Sequence, residues 1–254
     1  MQNRRERRRQ ERQQRKASGE TNIRRHEDAE HHPESSKSFK NFTLKPKNDE
    51  QRKYINLIKN MDLVVATGGA GVGKSFVAAV MAAQMLANRD IDTIYIVRPN
   101  VPLGREIGFV KGTMLEKMAM WIAPVLDGFE AVFSKEYINI LLEKEIIRVV
   151  PVSYLRGRTF RNSFVILDEA EDLERNEMEC FLQRIGEGSK TVISGDIAQK
   201  DIKTRSGLED LVLIADSYEN VPFGFIELEE NVRSDLSSFF CFAYKDLNLT
   251  ESDY

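Results

Sequence analysis

Two short runs in this 254-residue chain carry side chains whose types and spacing could do chemistry together. The first, Gly68-Gly69-Ala70-Gly71-Val72-Gly73-Lys74-Ser75, fits G-x-x-x-x-G-K-[ST] without a gap. Glycines let such a loop curl until successive backbone N–H groups point inward at phosphate oxygens. The lysine then reaches the outer phosphates as a point charge, and the serine hydroxyl can hold Mg²⁺. The second run is Asp168-Glu169, which ends the apolar stretch Phe164-Val165-Ile166-Leu167. There Asp168 would hold Mg²⁺ through its shell, while Glu169 could polarise a water for attack on a γ-phosphate. A second acid beside the metal-side acid favours hydrolysis over transfer to a small molecule. Taken alone, the first run could be a glycine-rich turn with an accidental lysine, and the second a pair of surface acids. Their flanks argue against both.

A phosphate loop works only where a strand delivers it and a helix begins at its lysine, so that the helix N-terminus adds its positive end. The run Leu63-Val64-Val65-Ala66 reads as a strand buried on both faces, and 76–86, rich in Ala, Val and Met, as the helix. Upstream, 48–59 reads as a helix capped by Asn48-Asp49, with Tyr54, Ile55 and Ile58 on one face, and 39–46 as a linker or extended piece. Downstream, strands are expected at 93–97, 146–152, 164–167, 191–193 and 225–228, and helices at 113–129, 137–143, 174–185 and 207–215. Residues 99–112, with Pro99, Pro102, Gly104, Gly108 and Gly112, read as a loop. Met114, Leu115, Met118, Trp121, Ile122 and Val125 recur at helical spacing and read as core. Alternating strands and helices predict an α/β fold, a three-layer sandwich around a mostly parallel sheet.

The chain is 41% apolar and 30% charged, which suits one large globular domain with a tail, and no run approaches the roughly 20 apolar residues of a membrane span. The start of the chain has no apolar core and does not read as a secretory signal. Cys180 and Cys241 are the only cysteines and share no CxxC spacing, so a reduced, cytoplasmic setting is expected and a cysteine-built zinc site is not. The net charge of −3 hides an asymmetry, because residues 1–25 carry +7 and the remainder −10. Residues 1–38 hold almost no apolar side chains and are expected to be a disordered basic tail, with the folded domain at 39–254. Such an arm can neutralise nucleic-acid phosphates or serve only as a solvated tail. His26, His31 and His32 all lie in it and are not expected to be catalytic.

Three further runs resemble superfamily-one helicase motifs: Asp168-Glu169-Ala170-Glu171, Ser194-Gly195-Asp196 with Gln199, and Leu228-Glu229-Glu230-Asn231-Val232-Arg233-Ser234. The stretch from Gln51 to Arg233 more closely resembles the PhoH family of ATPases, related to that helicase core. The resemblance is carried by Gln51, the phosphate loop, Arg98-Pro99, Gly104, Gly108-Phe109 and Gly112, and then by Tyr154-Leu155-Arg156-Gly157-Arg158-Thr159. LDEAE (167–171), FLQRIGEGSK (181–190), SGDIAQKD (194–201) and Ser206-Gly207-Leu208 complete the set. It implies a RecA-like P-loop NTPase fold, with ATP and Mg²⁺ as cofactors. Gln51 would read the adenine edge, and Gln199, supported by Asp196, would sense the γ-phosphate or attacking water. Arg233 would stabilise charge on the transferring phosphoryl group, in cis or from a neighbouring subunit. Arg98, Arg156, Arg158 and Thr159 would face RNA or single-stranded DNA. The family's name suggests a link to phosphate starvation.

The sequence departs from these patterns at three points. Glu171 stands where the helicases usually carry Gln, Ser75 replaces the commoner Thr, and the wording around Arg233 follows the helicases rather than PhoH. Only about 20 residues follow Arg233, too few for a second motor lobe, so a motor would have to assemble as a homo-oligomeric ring such as a hexamer. The alternatives are an ATP-regulated binding switch without motor activity and a P-loop kinase. Asp168-Glu169 and Gln199 weigh against the kinase, and no Asn-Lys-x-Asp run supports a GTPase.

Overall fold

The computed structural model of the chain describes residues 39–99 and 122–246. The expected tail at 1–38, the loop from residue 100 onward and the 113–121 part of the expected helix lie outside the described residues. Within them, six strands form one sheet: β1 Leu63–Gly68, β2 Thr93–Arg98, β3 Ile147–Pro151, β4 Ser163–Leu167, β5 Lys190–Gly195 and β6 Gly224–Leu228. Their spatial order is β3-β2-β4-β5-β1-β6, and every pair is parallel, with Val65 opposite Ile193 and Ile96 opposite Ile166. The sheet is thus wholly rather than mostly parallel. Parallel pairing needs crossover connections, and helices supply them except between β3 and β4, which the turn Val152–Tyr154 and a loop join. These are α1 Asp49–Asn60, α2 Lys74–Ala87, α3 Ala123–Val132, α4 Lys135–Glu143, α5 Arg175–Leu182, α6 Gly207–Ser217 and α7 Asp235–Asp246.

The continuous apolar strands have two cores to fill. Val64, Ala66, Ile94, Ile96, Phe164 and Ile166 pack on one face with residues of α1 to α4. Val65, Val97, Val165, Leu167 and Ile193 pack on the other with residues of α5 and α6. That is the expected three-layer sandwich, and it explains why these strands show no polar alternation. Helix starts follow local chemistry. Asn48 accepts from the Gln51 N–H at 2.8 Å, and Ser206 and Glu209 form a reciprocal capping box.

Several elements differ from the sequence reading. Helix α5 stops at Leu182 instead of 185, because Phe160 recruits the backbone there: its N–H donates to Arg184 O and its carbonyl accepts from Gly186 N–H, each at 2.8 Å. Phe39, in the stretch expected to be a linker or extended piece, takes the extended form: it bridges to Phe133 and stacks edge-on against its ring at 5.7 Å. After Arg233, where the apolar pattern gives no helix, the chain forms α7. Among the described residues no helix is long and apolar enough to cross a membrane.

Candidate active site

Parallel strands deliver all their C-terminal ends to one edge, and the strand order decides which loops become neighbours there. Because β5 lies between β1 and β4, its C-terminal loop separates the phosphate loop from the Asp168-Glu169 pair. Residues 231–233 follow β6 on the far side of β1, Arg98 ends β2, and the 154–158 turn follows the edge strand β3. A cleft of about 470 Å³ opens at this edge, and Gln51, Lys74, Asp168, Glu169, Gln199 and Arg233 all line it.

Two of the loop's glycines, Gly68 and Gly73, are required by space. A Cβ on Gly68 would stand 1.9 Å from Leu228 O, and one on Gly73, at φ +94°, 2.7 Å from the Gln51 amide nitrogen. Gly73 is also the N-cap of α2, so the left-handed turn aims the helix start into the cleft. Lys74 Nζ donates to the Gly68 and Gly69 carbonyls. Burial lowers the pKa of its ammonium, and Asp196, Asp168 and Glu171 pull it back up. Ser75 Oγ donates to Asp168 Oδ1 at 2.7 Å, and Ser194 Oγ donates to the same oxygen at 2.9 Å. A hydroxyl and a carboxylate oxygen in contact, one of them steadied from behind, form a hard donor set that fits Mg²⁺.

From β5, Gln199 Nε2 donates to Asp196 Oδ2 at 2.6 Å, and the Asp196 N–H donates to Glu171 Oε2 at 3.0 Å. Glu171 is buried, and that burial pushes its carboxyl up to about 7. Backbone N–H groups oppose the shift, while Asp172 and Asp168 add to it. The carboxyl that replaces the helicases' Gln is therefore part protonated near neutrality and can itself donate. Gly195 makes room for it, since a Cβ there would meet Glu171 Oε2 at 2.4 Å.

Gln51 is buried, with its amide already engaged: Nε2 donates to Val72 O at 2.9 Å, and Oε1 accepts from Lys47 N–H at 3.0 Å. It fastens the phosphate loop to the chain before α1 and keeps one N–H and one lone pair for the cleft. Arg233 is held against the loop of its own chain. Asn231 Nδ2 donates to Ala70 O at 3.2 Å, Val232 N–H donates to Gly71 O at 3.1 Å, and Arg233 N–H donates to Asn231 Oδ1 at 2.9 Å.

One expected role does not match the placement. Arg98, expected to face nucleic acid, is 5% exposed and ion-paired with Glu169. Burial lowers the guanidinium's pKa, and the charges of Asp168 and Glu171 oppose that shift. As the last residue of a strand buried on both faces, it points into the carboxylate group rather than out to a polymer. Arg156, Arg158 and Thr159 are exposed and lie outside the cleft lining, and Arg158 Nε donates to Tyr154 O at 3.1 Å across their turn.

Several participants have roles that a reading of the sequence does not assign. Ser194 belongs to the recognised Ser194-Gly195-Asp196 run, and only the β4–β5 pairing shows its purpose. Tyr154 is 58% exposed beside the two arginines, unusual for a large ring. Asp127 lines the cleft because α3 is pressed onto α2 at Gly128, whose Cβ would meet Ala79 Cβ at 2.5 Å; no local signal announces it.

Comparison with known proteins gives a consistent picture. The family model described as PhoH-like protein matches residues 43–245. A PhoH-like protein of Synechocystis sp. is 35% identical over 212 residues, covering 83% of this chain and 65% of the relative. Protein PhoH of Escherichia coli K12 is 35% identical over 202 residues, covering 78% of this chain and 57% of the relative. The chain therefore spans less than two thirds of either relative's length. Among solved structures, the Pif1 helicase of Candida albicans aligns at 14% identity with a TM-score of 0.43, covering 80% of this chain and 44% of that one.

Proposed function

The chain belongs to the PhoH family, and from that premise and the geometry of the cleft we propose that it is a Mg²⁺-dependent ATPase acting on single-stranded RNA or DNA. The observation that carries this reading is the Ser75–Asp168 hydrogen bond of 2.7 Å, which joins the two runs whose chemistry requires them to meet. Ser75 and Asp168 would hold Mg²⁺, which when bound neutralises charge on the phosphate oxygens. The phosphate-loop N–H groups and the α2 N-terminus bind the phosphates, and Lys74 moves from the Gly68 and Gly69 carbonyls onto the outer ones. Gln51 turns its remaining amide capacity to the adenine edge.

In the hydrolytic step, a water oxygen bonds to the γ-phosphorus as the bond to the ADP oxygen breaks, and Glu169 accepts the water's proton. Gln199, oriented by Asp196, aligns that water, and Arg233 offsets the charge on the transferring group from within the same chain. Outside the cleft, residues 154–161 hold Arg156, Arg158 and Arg161 and no acid, within a 39–254 body of net −7. Among the described residues none of these arginines pairs with a carboxylate. An exposed Tyr154 among such arginines suits the stacked bases and phosphates of a single strand. The 39–254 domain, cytoplasmic residence and assembly as a ring belong to the same proposal.

The test is steady-state ATP hydrolysis with Mg²⁺, with and without single-stranded RNA, single-stranded DNA and duplex, on protein whose mass in solution is known. Mg²⁺-dependent turnover that rises with one single strand is the expected result. No turnover above background overturns the reading as an ATPase, and turnover indifferent to every polymer removes the nucleic acid from it.

A further inference from the structure

We propose that Arg98 is the positioning residue of the hydrolytic step: it holds Glu169 in a resting orientation and links that orientation to the strand-binding turn. The inference rests on the reading above, in which Glu169 takes a proton from water and the 154–158 turn binds single strands. Its own basis is a separate set of interactions.

Glu169 sits in the left-handed region at φ 56°, which L-residues other than Gly and Asn rarely adopt. Such a conformation persists only where its surroundings hold it. Here the surroundings are the Arg98 guanidinium on Glu169 Oε1 and, one residue earlier, the Asp168 N–H donating to Val97 O at 3.0 Å. Arg98 is buried and needs a carboxylate, while Glu169 is exposed and does not need burial. A carboxylate held by a buried guanidinium is fixed in one orientation and is a weaker base toward a water's proton than a free one. On Arg98, Glu169 is oriented and its basicity lowered; released from Arg98, its carboxylate is the stronger base for the attacking water.

The sheet register connects this choice to the turn. Arg98 is the register partner of Pro151 on β3, and Pro151 opens the turn Val152–Tyr154 that leads to Arg156 and Arg158. On its other side β2 pairs with β4, which ends one residue before Asp168. Arg98 therefore lies on the strand between the strand-binding turn and the catalytic carboxylate. A single strand bound at Tyr154 and Arg156 shifts the end of β3, moves Arg98 with it, and biases Glu169 toward its free arrangement.

Arg98→Met and Arg98→Lys test this, each assayed for ATP-analogue binding, strand binding, kcat and KM with and without saturating single strand. The expected result is that Arg98→Met binds both ligands and has its basal kcat raised toward the strand-stimulated value, so that the strand-dependent rise is lost, while Arg98→Lys, which keeps the buried charge, restores part of it. Arg156→Ala should instead raise the strand concentration needed for half-effect and leave the rise at saturation intact. An Arg98→Met protein that keeps the wild-type rise overturns the inference. Should Arg98→Met fail to bind nucleotide, Arg98→Lys decides alone, and a rise equal to wild type overturns the inference in the same way. A wild-type enzyme that no strand stimulates fails earlier, at the proposed function itself.

Discussion

Ser75 and Asp168 stand at the same edge of the same sheet as Arg156 and Arg158, yet the two pairs are built in opposite ways. Asp168 is buried, accepts from two serines and is reached by elements from four strands. Arg156 and Arg158 are exposed on one turn, which a hydrogen bond from Arg158 to the Tyr154 carbonyl braces. Charge that must develop at one point in a reaction benefits from groups already oriented and shielded from water, because orienting them later would add to the barrier. Charge that must follow a flexible polyanion gains little from being fixed, since exposed interactions are screened and adapt. In the proposed function the same edge therefore serves two chemistries, one rigid and buried, the other adaptable and wet.

The sharpest way to break this comparison is Lys74→Ala. Loss of the loop's one ammonium should lower kcat/KM for ATP by about a thousandfold and weaken triphosphate binding, checked by steady-state kinetics and nucleotide titration. Turnover that survives would remove the buried region from catalysis. Glu169→Gln should keep nucleotide affinity and lower kcat by at least about a hundredfold. Equal losses in binding and turnover would make Glu169 structural instead. Arg156→Ala with Arg158→Ala should leave basal turnover alone and weaken all single strands alike. The salt slope of binding should also fall by about 1 for each phosphate no longer neutralised. A change confined to one base sequence would contradict the picture of a screened track.

The smallest effect concerns Glu171. Its folded carboxyl titrates at about 7 instead of the ordinary 4.5, so over that window the folded state holds more protons than the unfolded one. Stability must then fall as pH rises from about 4.5 to about 7. Melting temperatures across that range should decline, and Glu171→Gln should flatten the decline by mimicking the protonated form. A wild-type profile that Glu171→Gln leaves unaltered would place the proton elsewhere.

Much of the buried region is legible without the fold. A phosphate loop is a local object: its glycines, its lysine and the strand and helix around it are consecutive, and β1 and α2 fall where the apolar pattern puts them. The strands are readable because burial on both faces demands unbroken apolar runs. Whatever depends on a distant partner is not. Helix α5 ends early because Phe160 pairs with Arg184 O and Gly186 N–H just beyond it, and Arg98 faces inward because Glu169 waits at the end of the neighbouring strand.

By itself the amino-acid order determined the proposed chemistry, with glycines and Lys74 for phosphate, Ser75 and Asp168 for a hard cation and Glu169 beside them, and the alternating elements of a parallel sheet. The tertiary structure alone decided who neighbours whom. Strand order sets β5 between β1 and β4, and with it places Ser194 on Asp168, Glu171 on Asp196, and Arg233 at the loop of its own chain. Residue types and local spacing act over a few residues, whereas strand order is settled by how two hydrophobic cores close over a sheet, and no local signal encodes that.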